Sequence, residues 1–322
     1  MKKIFKNVLM FGGLLTMMAA CSNDVDAPVQ KGNTPLQVKV MADSPNSRAI
    51  VHGEVFPEAS QIGLTLVDES EATYDGTAYG NLLYETADGM SWSLGSSLSV
   101  PMLSATEGKA VAYFPWKDKA VYTALDVETG SQTDYMYSGE WTSGLSNSTP
   151  EVTFEMKHAL AAFRVYFSKD AAYVADATVT NVKITSDAFV AAAKLNALTG
   201  ELSNNTATEA IATSVEAAHV LDTDGKPADD SDAGQFSELI VVPADAKGTV
   251  LKFTINVADA EGNEKRYSTE ITPLTTAMAQ GSIYEYSLKL SATGFSVSEV
   301  KVKEWTPVEN AGSGTLKPET EA

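Results

Sequence analysis

Apolar residues along this chain recur at every second position and seldom at helical spacing. Leu36/Val38/Val40, Ile62/Leu64/Leu66, Val152/Phe154/Met156, Leu251/Phe253/Ile255/Val257 and Tyr284/Tyr286/Leu288/Leu290 each alternate with polar or small residues. Successive side chains of a strand point to opposite faces, so this period predicts half-buried strands. Turn signals separate them: Asp75-Gly76, Asp88-Gly89, Glu107-Gly108, Thr129-Gly130, Thr199-Gly200, Asp224-Gly225, Lys247-Gly248 and Glu261-Gly262-Asn263. That spacing is typical of β-sandwiches, and the expected fold class is all-β. Two Ala-rich stretches, Asp170 to Thr178 and Phe189 to Leu198, are read as short turns or one helical turn at most.

The N-terminus breaks this pattern. Lys2, Lys3 and Lys6 precede an apolar run from Val8 to Met18, which ends at Ala19-Ala20-Cys21. About 20 apolar residues are needed to span a bilayer as a helix, so the run is a secretory signal peptide, residues 1–20. Met18-Ala19-Ala20-Cys21 resembles the lipobox of bacterial lipoproteins, which implies lipidation of the Cys21 thiol and attachment to a membrane. Cys21 is the single cysteine, so a lipidated chain has no thiol left for a disulfide, a nucleophile or a metal. The polar stretch 21–35 reads as a flexible tether.

Of the 322 residues, 23 are Lys or Arg and 42 are Asp or Glu, a net charge of −19. Losing Lys2, Lys3 and Lys6 with the leader makes the mature chain still more acidic. Nucleic acid and anionic membrane surfaces are therefore poor partners. About 300 mature residues exceed one usual core. Gly144 to Pro150 (GLSNSTP) separates an aromatic-rich half from one rich in Ala, Thr and Val. The expected divisions are 36–148, 149–308 and a mobile tail, 309–322.

Candidate chemistry is sparse. His52, His158 and His219 are far apart and none has a metal-ligand spacing. No G-x-S-x-G, G-x-x-x-x-G-K-[ST] or G-x-G-x-x-G motif occurs, so no enzyme, cofactor or metal is expected. Asp222, Asp224, Asp229, Asp230 and Asp232 lack the spacing and closing Glu of a calcium loop. Trp92, Trp116, Trp141 and Trp305 are expected in the core, the other reading being a sugar-stacking platform. Pro45-Asn46-Ser47-Arg48-Ala49-Ile50 places one basic residue in a turn-like segment just after the strand at 36–41, where a trypsin-like protease reaches it.

Several of these pieces together resemble the fimbrillin family, the type V pilins of Gram-negative anaerobes. They are the lipobox at Cys21, the strand followed by Ser47-Arg48-Ala49, and the block from Tyr74-Asp75-Gly76-Thr77-Ala78-Tyr79 to Trp92. Ala110 to Pro115 (AVAYFP), Phe154 to Ala162 (FEMKHALAA), and the strand Tyr284 to Leu290 followed by Val297 to Trp305 complete the order. The resemblance implies two tandem transthyretin-like β-sandwiches. It also implies an outer-membrane lipoprotein precursor that an Arg-specific protease cuts between Arg48 and Ala49, removing strand 36–41. A strand from another fimbrial subunit then fills the vacated groove, and the subunits form an extracellular adhesive fimbria. Candidate donors are Phe295, Val297, Val300 and Val302, or the tail around Leu316. The alternative reading is a monomeric outer-membrane lipoprotein that binds glycans.

Overall fold

The computed structural model describes residues 32–42, 56–95, 99–207, 213–220, 236–244, 250–271 and 277–304. Its elements there are all strands, as the two-residue period predicts. In the first half they are β1 (Thr34–Pro35), β2 (Gln37–Ala42), β3 (Gln61–Asp68), β4 (Tyr79–Thr86), β5 (Trp92–Leu94) and β6 (Met102–Leu103). There follow β7 (Gly108–Phe114), β8 (Leu125–Glu128), β9 (Met136–Tyr137), β10 (Thr142–Leu145) and β11 (Glu151–His158). The second half holds β12 (Ala161–Lys169), β13 (Thr178–Thr185), β14 (Val190–Leu195), β15 (Leu202–Ala207) and β16 (Thr213–Val220). It ends with β17 (Phe236–Val241), β18 (Leu251–Ala258), β19 (Glu264–Ile271), β20 (Ser282–Ser291) and β21 (Gly294–Glu304).

One sheet runs β2-β11-β9-β7-β3-β4-β5, with β10 on β7. Two four-stranded sheets, β17-β12-β20-β21 and β16-β13-β18-β19, enclose a core that includes Phe163, Val182, Phe253, Tyr284 and Tyr286. A second core, with Leu36, Val38, Val40, Ile62, Leu64 and Phe154, belongs to the first sheet. A third, around Val111, Tyr113, Val127, Leu160, Ile240 and Ile283, draws on both halves of the chain.

Four readings change. The Ala-rich stretch at 189–198 contains strand β14, because its Ala residues lie in a ladder against β8, where small side chains suit close packing. Glu107-Gly108 is not a turn: Gly108 opens β7, and a Cβ there would come within 2.7 Å of the buried Tyr74 ring. Thr34–Pro35, read as the end of the tether, pairs with Met102 and Leu103; proline suits such a short edge strand. Finally, β11, read as opening the second half, is hydrogen-bonded within the first sheet. Sheet membership changes at Ala159 and Leu160, later than the composition break. Asp75-Gly76, Gly89, Gly200 and Gly262 do take the positive φ that tight turns need.

Burial raises the Tyr84 and Tyr113 hydroxyls to about 12, and Tyr286 is raised for the same reason. An unfolded tyrosine ionises near ~10, so these groups stabilise the fold below that pH. The contribution is lost as pH rises through about 12. Phenolate absorbance should therefore lag behind that of free tyrosine and rise together with loss of β-sheet dichroism. Ionisation of all tyrosines in a folded chain would contradict the burial.

Candidate functional site

The candidate site is built on β2. Its side chains alternate, with Val38, Val40 and Ala42 buried and Gln37, Lys39 and Met41 turned to solvent. Leu36, just before it, is buried too, and its N–H donates to the Pro101 carbonyl at 2.9 Å. β2 runs parallel to β11, from Gln37 opposite Glu151 to Ala42 opposite Met156. Parallel ladders are slightly weaker per residue than antiparallel ones. On the wet face, Lys39 Nζ meets Glu151 Oε1 at 2.8 Å with both groups exposed, a contact worth well under ~1 kcal/mol. The attachment of β2 therefore rests on its apolar face and its ladder.

The dependence is mutual. Among the described strands, the ladder partners of Glu151 to Met156 all lie in β2, while β9 reaches only Lys157 and His158. Val152, Phe154 and Met156 are fully buried beside β2's own buried face in the same sheet. On its other side β2 ends the sheet, as β5 does at the opposite end. A groove of about 540 Å³ lies there, lined by Leu36, Val38, Tyr84, Trp92, Leu94 and Val100 among others. Trp92 packs edge-on against Phe56 at 5.2 Å, and Met90 and Val100 are exposed at the groove. The site is thus an apolar trough with an edge strand on its wall. Chemically, it can hold another extended, alternating segment.

The donor candidates divide within β21, the last strand of its sheet. Phe295 is 9 % exposed and sits edge-on to Tyr267 at 5.6 Å, and Val297 packs on the same core. Val300 and Val302 pair with Tyr286 and Tyr284, yet they are 46 % and 55 % exposed. The first two cannot be released without opening their own core; the second two are already uncovered. Cys21, Arg48, Ala49 and Leu316 lie outside the described residues.

Other groups that might carry chemistry are enclosed. His158 Nδ1 lies 2.8 Å from Asp134 Oδ2, with both side chains 1 % exposed. Arg164 donates to Glu238 Oε2 at 2.9 Å and lies 3.6 Å from Glu285 Oε1, all three side chains being buried. These carboxylates face a guanidinium and not a cleft. Trp92 and Trp141 are packed against the cores, while Trp305, His52 and the acidic run at 222–232 lie outside the described residues. Among the described residues no group of three or more His, Cys, Asp or Glu is placed to hold a metal.

An edge strand beside an apolar trough is the kind of surface to which other all-β proteins add a strand. The fimbrillin-like family model matches residues 47–305, and the chain belongs to that family. The match starts after β2. A Bacteroides uniformis protein described as fimbrium subunit Fim1C is 28 % identical over 277 residues, covering 83 % of this chain and 84 % of its own. The fold is shared with two solved structures described as cell adhesion proteins. The one from Bacteroides uniformis has a TM-score of 0.60 at 23 % identity, covering 85 % of this chain and 98 % of its own. The one from Bacteroides ovatus has a TM-score of 0.62 at 18 % identity, covering 87 % and 100 %.

Proposed function

We propose that this chain is a structural subunit of an adhesive cell-surface fimbria, exported as a lipoprotein through Cys21. On this reading an Arg-specific protease cuts between Arg48 and Ala49, freeing β2 together with the outer-membrane anchor. The observation that carries the reading is β2 itself. It is a short edge strand with a buried alternating face, it has one ladder partner among the described strands, and it ends six residues before Arg48. Its loss strips β11 of the partner for Glu151 to Met156 and opens the trough. A strand from the next subunit then occupies the vacated place.

Among the donor candidates this reading favours Val300 and Val302, whose side chains are exposed although their backbones pair with β20. Such head-to-tail exchange joins two different surfaces and does not close, so it extends a filament. The two transthyretin-like sandwiches belong to the same reading, with the division placed at Ala159 and Leu160. Arg48→Ala tests it: processing should stop and the chain should stay a lipid-tethered monomer. Undiminished polymer from that variant would remove Arg48 from the route.

A further inference from the structure

We propose that the two halves of this chain are locked into a single load-bearing unit by a seam in which β8 joins the second half's strands and the Gln132 side chain stands in for a strand on β17. The inference rests on the fimbrial reading only for its use; the seam is a property of the monomer.

Paired modules in one chain move relative to one another unless their interface is large and apolar. Here the interface is apolar and also hydrogen-bonded. β8 forms an antiparallel ladder with β14, from Leu125 opposite Leu195 to Glu128 opposite Ala192. The ladder is extended at one end by Thr129 N–H donating to Ala191 O at 3.1 Å. Beyond the other end, Ala197 N–H donates to Tyr122 O at 2.7 Å, and Gly139 N–H to Ala197 O at 3.1 Å. Tyr137 from the first half lies against Gly200 from the second, so closely that a Cβ there would fall 2.3 Å from the ring.

Gln132 completes the seam. β17 is the edge of its sheet, pairing with β12 on one side. On its open side the Gln132 amide binds both backbone groups of Ile240. Oε1 accepts from Ile240 N–H at 2.7 Å, and Nε2 donates to Ile240 O at 3.1 Å. The same Nε2 donates to Thr129 O at 2.7 Å, fixing the side chain to its own loop. A primary amide matches a peptide unit in its donor and acceptor, so one side chain does here what a neighbouring strand does along a ladder. Ile240 is buried in the core that both halves share.

The covalent route has the same character. β11 and β12 are separated by two residues, Ala159 and Leu160, both fully buried in the shared core. Tension entering at the place of β2 therefore passes to β11, β12 and β20 and leaves through β21. No swivel interrupts that path.

The test stretches single molecules of residues 22–322 between tethers at the two ends. One rupture per molecule is expected, releasing on the order of 900 Å at about 3.4 Å per residue. Two ruptures, each of about half that length, would overturn the proposal. Gln132→Ala should convert the single rupture into two steps; a single rupture at unchanged force would remove Gln132 from the lock. If that variant does not fold, Gln132→Glu, which keeps the size and loses the donor, takes its place. The measurement needs no polymer, so a chain that fails to polymerise but ruptures once separates the seam from the fimbrial reading.

Discussion

A chain beginning at Ala49 is expected to be much less stable than one beginning at Ser22, and to recover when a peptide of residues 34–42 is added. Leu36, Val38 and Val40 are buried in the first core, and burying such a side chain contributes about 1.5–3 kcal/mol. Together they amount to roughly 5–9 kcal/mol as an upper bound. A typical domain has about 5–15 kcal/mol in total. Loss of the strand therefore removes a large share of the first sheet's margin, and with it the ladder partner of β11. Peptide at a hundred times its Kd returns about 2.7 kcal/mol, a rise of roughly 5–10 °C in Tm. The same peptide with aspartate at positions 38 and 40 should return nothing, because it would bury two unpaired carboxylates. Equal melting of the two chains would show that β2 is an ornament and not part of the fold.

The second large effect is expected in the core beside β2. Phe154 is 1 % exposed on β11, directly opposite Val40. Phe154→Ala removes the ring and leaves a void that the surrounding core fills poorly, at a cost of about 3–5 kcal/mol. Its neighbour Glu155 points to solvent, and Glu155→Ala should stay within ~0.5 kcal/mol. Urea unfolding of the two variants measures the difference. The Phe154 variant should also bind the 34–42 peptide more weakly, since Val40 of the peptide sits opposite Phe154 in the ladder and shares its core. A loss below about 1 kcal/mol would place Phe154 outside the core.

What could be read from the sequence, and what could not, follows from the range of the interactions. Val38/Val40, Val152/Phe154/Met156 and Leu251 to Val257 announce their strands because the period is local and each apolar residue takes a buried place. β14 was hidden because alanine on both faces leaves no alternation to see, and its ladder partner β8 lies more than sixty residues earlier. The membership of β11 was hidden for a related reason. Its alternation marks a strand, but its parallel pairing with β2 joins segments more than a hundred residues apart.

The candidate site was half legible. The alternation at Leu36, Val38 and Val40 marked the strand that is β2, while Arg48, the other half of the reading, lies outside the described residues. The division of β21 could not be read, since Phe295, Val297, Val300 and Val302 look alike in sequence and differ only in what lies above them. Gln132 gave no signal at all: one amide in a Ser-Gln-Thr-Asp turn acquires its role from an edge strand far along the chain.

The most direct test of the strand-exchange account is to treat residues 22–322 with an Arg-specific protease, sequence the new N-terminus, and run the product unboiled on a denaturing gel. The account predicts a start at Ala49 and a ladder of oligomers that collapses on heating. A chain that resists the protease, or is cut elsewhere and stays monomeric, would contradict it.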